Sequence, residues 1–224
     1  MRAWVSLWSA DPLELGTAVD TVAPEADGFH LDVFDGHNVP ELLFGPDVVA
    51  ALRRRTSLPL EVHLNVIDPD YWAGRFIDAG ADIVTFQSRA TSNVRRTIDA
   101  IRNKEARPCL GLEVDEPTSV AVDLFDAVDR VLVMGTSLGI RGGVLDPATP
   151  GRVAQLAESR RRIGRSPADL ELVVDGGIRQ ANVAALSEAG TDGVVPGSLV
   201  FGAVDPLDAI RGLHALEPGN VAPR

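Results

Sequence analysis

Cysteine is almost absent from this 224-residue chain. Cys109 stands alone, which excludes an intramolecular disulfide framework and fits a reducing compartment. Apolar residues never run to the roughly eighteen in a row that a membrane-crossing helix needs. The opening MRAWVSLWSADP reaches an acidic stop without the apolar stretch and small-residue cleavage site of a secretory leader. Basic residues are in deficit, 21 Lys and Arg against 32 Asp and Glu for a net charge of −11. That balance argues against nucleic acid or an anionic membrane as the main partner. No linker, low-complexity tract or charge block divides the chain. These absences lead to the expectation of a single cytoplasmic domain that handles a small molecule. A phosphorylated one is admissible, because backbone N–H groups at helix N-termini hold phosphate without a basic patch.

What is present is alternation. Apolar residues make up 45% of the chain and charged ones 24%, enough for a full core under an ordinary surface. Short strand-like runs occur at 3–8, 28–35, 58–66, 81–87, 107–114, 130–136, 170–177 and 192–201. Between them lie stretches with apolar residues at three- and four-residue spacing, as in PDVVAALRRRT and SNVRRTIDAIRNK. Asp11-Pro12, Asp68-Pro69 and Asp205-Pro206 read as helix caps followed by proline in the first turn. Eight strand-plus-helix units predict a (β/α)8 barrel, an α/β TIM-barrel fold in one domain over residues 1–216, with 217–224 as a tail. An open doubly wound sheet uses the same alternation, but its G-x-G-x-x-G fingerprint is missing after the first strand.

The second run does not end as a buried strand should. It reads GFHLDVFDGHNVP (28–40), and strand parity puts His30 and Asp32 on one face near its C-terminal end. His63 sits late in the third run and Asp175 closes the seventh. In a barrel these are the ends where chemistry collects. Singly, each residue is more simply structural; together they predict a site for one divalent metal ion. Mixed nitrogen and oxygen donors suit zinc, manganese, ferrous iron or cobalt better than calcium or magnesium. Asp35 and His37, just past the strand, read as loop-shaping residues, with a metal or substrate role as the minority alternative. His214 reads as a surface residue.

The glycines form a second constellation. Gly176 and Gly177 follow the seventh strand, and Gly197 and Ser198 interrupt the eighth, where small residues let backbone amides approach an anion. Loops at those two positions recur as phosphate sites in this fold. The stretch GTSLGIRGGVLDP (135–147) is long and glycine-rich enough to cover the site. Its Arg141, Gly142 and Gly143 are further candidates for the phosphate end of a substrate, although Arg141 could equally face water.

These pieces resemble the ribulose-phosphate 3-epimerase family over nearly the whole chain. SLWSAD (6–11) is similar to that family's S-x-L-S-A-D, with Ser6 at its substrate-contacting serine. FHLDVFDGHNVPELLFGPDVV is similar to its second-strand signature H-x-D-x-x-D-G-H-F-V-P-N, LEVHLNV to its D-x-H-L-M-V, and VVDGGI and GSLVF to its closing motifs. The resemblance implies a metal held by His30, Asp32, His63 and Asp175, phosphate held by the glycine loops, and a homo-oligomer. It implies inversion at C3 of a ketose phosphate, ribulose 5-phosphate/xylulose 5-phosphate or a related pentulose or hexulose phosphate, through a 2,3-enediolate. Asp32 and Asp175 would act as base and acid. His63 would also touch substrate.

Departures gather around the substrate. Asn65 stands where the family has methionine after His-Leu, and Phe34 replaces the methionine of D-V-M-D. MGTSLGIRGG lacks the proline, phenylalanine and glutamine of M-x-V-x-P-G-F-G-G-Q. The fourth strand ends TFQSRA, offering Gln87 and Arg89 where the family has a histidine-containing segment, and Pro196 replaces alanine. Asn65, Gln87, Arg89 and Arg141 are candidate contacts for a different sugar phosphate, or products of drift. The alternatives are an isomerase or retro-aldol lyase sharing the enediolate, and an inactive sugar-phosphate-binding relative. Related decarboxylase and synthase barrels carry a lysine at a strand end, and none of these strand ends does.

Overall fold

A computed structural model describes residues 1–216; the expected tail, 217–224, lies outside the described residues. Eight parallel strands close on themselves: β1 (Arg2–Ser6), β2 (Gly28–Asp35), β4 (Leu60–Asn65), β5 (Ile83–Gln87), β6 (Arg107–Leu112), β7 (Arg130–Met134), β8 (Glu171–Asp175) and β9 (Gly193–Val195). β1 pairs with both β2 and β9, which shuts the ring and leaves no open edge among the eight. A two-residue strand unforeseen in the sequence, β3 (Leu42–Leu43), pairs antiparallel with the end of β2. The barrel is the predicted (β/α)8 fold.

Helices separate the strands: α1 (Leu15–Val22), α2 (Pro46–Arg53), α3 (Pro69–Asp78), α4 (Val94–Arg102), α5 (Ser119–Val122), α6 (Thr149–Arg162), α7 (Val183–Glu188), α8 (Ser198–Phe201) and α9 (Pro206–His214). Asp68 caps α3 by accepting from Tyr71 N, and Asp205 caps α9 by accepting from Leu207 N and Asp208 N. Asp11 does otherwise. It accepts from Leu13 N in a turn, and α1 starts only at Leu15. The run 192–201 also divides: Pro196 has no N–H to continue a ladder, so the strand stops at Val195 and Ser198 begins a helix. None of the helices among the described residues is long and apolar enough to cross a membrane.

The strands are buried on both sides, and the two sides differ. Outward-facing Leu31, Val33, Val62, Leu64, Phe86, Leu110, Val131, Val133, Leu172 and Val174 join one large apolar cluster with the helices. Inward-facing Trp4, Ile83, Cys109, Leu132, Met134, Val173 and Val195 form a much smaller one. The rest of the barrel's interior is polar: His30, Asp32, Glu61, His63, Thr85, Gln87, Arg130 and Glu171 are all buried. Burying so many polar groups is costly unless each finds a partner.

Candidate metal centre and its cleft

Alternation along β2 turns His30 and Asp32 into the barrel, and the β2–β4 register sets Asp32 beside His63. Asp175, the last residue of β8, arrives from across the barrel. The four residues offer one ligand atom each within 4.8 Å of one another. His30 Nε2 lies 3.5 Å from Asp32 Oδ1 and 3.7 Å from Asp175 Oδ2. His63 Nδ1 lies 3.2 Å from Asp32 Oδ1 and 3.7 Å from Asp175 Oδ2. A tetrahedral ion with bonds of about 2.1 Å needs ligand–ligand edges of about 3.4 Å, and these four edges straddle that length. His30 Nε2 is also buried without a hydrogen-bond partner. The donor set and spacing fit a divalent cation.

The groups behind the cluster hold it in place. Glu61 Oε2 takes His30 Nδ1 at 3.1 Å and Arg130 Nη1 at 2.9 Å, while its Oε1 accepts from Thr85 Oγ1 at 2.6 Å. Arg130 also pairs with Glu171, beneath the Trp4 ring at 3.8 Å. Asn65 Nδ2 stands 3.4 Å from Asp32 Oδ1, and its Oδ1 has no partner. Gln87 is buried against His63 Nε2 at 2.7 Å.

Protonation divides the two carboxyls. Burial pushes Asp175 up to about 6; nearby His30 and His63 oppose that rise, and Asp32 reinforces it. Asp32 is buried too, but the charges and hydrogen bonds of His30 and His63 outweigh burial and hold it well below the usual carboxylate range. Burial works against a charge on His30, yet Asp32 and Glu61 raise it well above an ordinary histidine.

A cleft opens over the cluster. Asp32, His63 and Asp175 line its base, and Ser6, Asn65, Arg141, Gly142, Gly176, Gly177, Gly197 and Ser198 line its sides. Gly143 is set apart from this lining, walling a neighbouring cavity with Val144 and Leu145. Gly176 and Gly177 adopt φ of 93° and 70°, and a Cβ at Gly176 would strike Thr136. The loop 135–147 folds over the cleft, tied down by Arg179 Nη2 donating to Gly142 O at 3.2 Å. Arg179, Thr136, Trp8 and Ser9 line the cleft too; Trp8 and Ser9 fall inside SLWSAD and Thr136 inside 135–147, while Arg179, just past the VVDGGI motif, lies outside every motif. Phe34 packs edge-on against Trp8 at 5.0 Å in the same wall, whereas Trp4 belongs to the barrel floor.

The remaining candidates fall elsewhere. Asp35 accepts from His37 N, Asn38 N and Ile67 N, so it ties two loops together. Arg89 is held at the rim by Asp115 and lines a separate hollow with Gln87 and Glu113. His214 bonds Asp27 at the surface. Lys104, the chain's one lysine, pairs with Asp78 at the surface, so no amine reaches the cleft.

The family model for the ribulose-phosphate 3-epimerase family matches residues 3–201, from β1 through α8. The chain belongs to that family. It is 36% identical over 221 residues to the chloroplastic ribulose-5-phosphate-3-epimerase of Arabidopsis thaliana, covering 97% of this chain and 78% of that one. It is 37% identical over 195 residues to the ribulose-phosphate 3-epimerase of Rhodospirillum rubrum, covering 87% and 84%. Among solved structures, KGPDC from Streptococcus mutans overlays with a TM-score of 0.71 at 17% identity over 95% of both chains. Orotidine 5'-phosphate decarboxylase from Pyrococcus horikoshii OT3 does so at 0.68 and 13%, over 95% and 97%. Those two likenesses are of fold. Membership of the family makes the protein an isomerase of the racemase and epimerase class.

Proposed function

We propose that the protein inverts C3 of a ketose phosphate, either ribulose 5-phosphate/xylulose 5-phosphate or a related pentulose or hexulose phosphate. One divalent cation (zinc, manganese, ferrous iron or cobalt) would be held by His30, Asp32, His63 and Asp175. The observation that carries this reading is geometric: Asp32 from β2 and Asp175 from β8 meet the same imidazole pair at the mouth of the barrel, with one ligand atom from each of the four residues within 4.8 Å of the others. Two carboxyls placed on one centre from different strands can serve as the base and the acid of a proton transfer.

When bound, the cation supplies Lewis acidity that stabilises the negative charge developing on the ketose oxygens. The chain's own groups do the rest. One carboxylate, Asp32 or Asp175 according to direction, takes the C3 proton. The other, entering the turnover protonated, would return its proton to the opposite face of the planar 2,3-enediolate, and the first would be left carrying the proton it took. The phosphate would lie against the backbone N–H groups around Gly176, Gly177, Gly197 and Ser198, with Arg141 and Arg179 as cationic neighbours in the wall. Ser6, His63, Asn65 and the loop glycine Gly142 complete the proposed contacts; Gly143, which faces the neighbouring cavity, is withdrawn from them. The loop 135–147 would exclude water from the enediolate. A homo-oligomer in the cytoplasm is part of the same reading, and a mass measurement in solution tests the assembly.

Incubating metal-loaded protein with pentulose and hexulose phosphates in deuterated water tests the chemistry. Deuterium at C3 together with the epimer is the expected result. Label at C1 would point to an aldose–ketose isomerase instead, and cleavage of the sugar's carbon chain to a retro-aldol lyase. Metal content with no exchange into any ketose phosphate would leave a binding protein.

A further inference from the structure

The two imidazoles turn different nitrogens towards the cluster. His30 presents Nε2 and His63 presents Nδ1. Each ring's other nitrogen is buried against a single side chain: His30 Nδ1 against Glu61 Oε2 at 3.1 Å, and His63 Nε2 against the Gln87 amide at 2.7 Å. An imidazole ligates a cation only through a nitrogen that carries no hydrogen. The far nitrogen must then be an N–H, and it needs an acceptor.

Glu61 meets that need without ambiguity. Its other two partners, Arg130 and Thr85, are donors, so the carboxylate accepts on every side. An amide could go either way. With its NH2 group towards His63, the ring would accept at Nε2 and carry its hydrogen on Nδ1, leaving no lone pair for an ion. That orientation also leaves Gln87 Oε1 buried and unpartnered. The two ends of an amide have nearly the same shape, and the hydrogen-bond network decides between them. With the carbonyl towards His63, Nε2–H donates and the Nδ1 lone pair faces the cluster.

The slot for this amide is made by a missing side chain. Gly111 lies beside Gln87 in the β5–β6 register, and a Cβ there would stand 2.6 Å from Gln87 Nε2 and 2.7 Å from Oε1. Any larger residue at position 111 would push the amide off the ring.

We propose that Gln87 is a positioning residue for metal uptake: its carbonyl accepts the His63 Nε2–H and commits that ring to ligation through Nδ1, as Glu61 commits His30 to Nε2. Gln87 therefore acts from behind the site and is removed from the candidate substrate contacts. The inference rests on the divalent-cation reading of the previous subsection.

Two readouts test it, both independent of turnover. Zinc affinity is measured by competition with a chromophoric chelator, and hydrogen positions on the rings by ¹⁵N–¹H spectra of the zinc-loaded protein. The wild type is expected to bind one zinc, with hydrogen on Nδ1 of His30 and on Nε2 of His63. Gln87→Leu is expected to weaken zinc binding about 10- to 100-fold. Gln87→Glu, which can only accept, is expected to stay within about threefold and keep the Nε2–H signal. Gly111→Ala should weaken binding in the direction of the Leu variant. Wild-type hydrogen on His63 Nδ1, a Glu variant as weak as the Leu variant, or a Leu variant that binds as the wild type does would each overturn the proposal. The wild-type spectrum decides even where a variant fails to fold. A wild type that binds no divalent ion would instead defeat the cation reading itself.

Discussion

Both ends of the barrel's interior are charged, and they are built in opposite ways. At the floor, Arg130 is fully buried, but Glu61, Glu171 and the Trp4 ring surround it. Glu171 also takes Trp4 Nε1 at 3.3 Å and Arg2 at 3.0 Å, so charge there is matched by charge. At the mouth, Asp32 and Asp175 have only imidazoles as cationic partners, Asp32 adding the Asn65 amide, and His30 Nε2 and Asn65 Oδ1 have no partner. Unsatisfied buried groups are destabilising. A floor satisfied so fully beside a mouth left open is the arrangement that the proposed cation site requires. Glu61 joins the two ends, accepting from Arg130 below and His30 above.

The sharpest way to break this contrast is to change one residue at the mouth and watch fold and turnover separately. Asp175→Asn keeps shape and burial while removing the carboxyl. Loss of a general acid or base is expected to reduce turnover about 10²- to 10⁴-fold. The metal-free protein should melt no lower than the wild type, because a neutral amide relieves the burial that raises Asp175. Undiminished epimerisation would take Asp175 out of the chemistry, and an early melt would make the mouth as structural as the floor.

The floor should answer the other way. Arg130→Met leaves Glu61 and Glu171 facing each other in the barrel without their shared cation. Removing one partner of a buried ion pair costs about 3–5 kcal/mol, read as a fall in unfolding free energy in urea. A variant that is fully stable yet binds metal poorly would show that the floor serves the site alone.

The sequence disclosed the mouth better than the floor, for a physical reason. His30, Asp32, His63 and Asp175 fall at strand ends inside short motifs, so strand parity alone brought them to one point. Glu61, Arg130 and Glu171 sit near the starts of three different strands, with nothing local to show that they meet. A lone Glu or Arg in an apolar run looks like a surface residue until closure of the barrel turns it inward. Gln87 stood out in the sequence as a departure, but its role depended on Gly111 in the next strand. The alternation revealed the barrel itself, while the β3 hairpin and the stop at Pro196 depend on pairing and a missing N–H, which periodicity does not record.

Acid should weaken the mouth's hold on metal in two stages. Ligation requires His30 without its Nε2 proton and Asp175 as carboxylate. In the metal-free protein Asp32 and Glu61 hold His30 protonated well above the ordinary histidine range, against burial. Asp175, raised by burial, takes up its proton below about 6. From neutral pH downward one proton must be displaced, so affinity should fall about tenfold per pH unit; below about 6 the second makes it up to about a hundredfold. A chelator-competition titration from about pH 8 to about pH 5 measures both slopes. Affinity that stays level over that range would mean that the protons and the cation do not compete for the same atoms.

Asn65 refines the contrast within the mouth itself. Its amide is buried, it lines the cleft, and one end touches Asp32 while the other touches nothing. A free acceptor in that position is a place to read a substrate hydroxyl. Asn65→Met fills similar space without the polar end. A site that loses one buried hydrogen bond to a bound group gives up about 1–3 kcal/mol, so kcat/KM should fall more for a ketose phosphate that presents that hydroxyl than for one that does not. Across a panel of pentulose and hexulose phosphates, the ratio between preferred substrate and next competitor should change by that amount, with little change in metal affinity. If every substrate slows equally, Asn65 acts through Asp32. If none slows, the amide only fills the wall, and discrimination must come from the loop that Arg179 holds over the cleft.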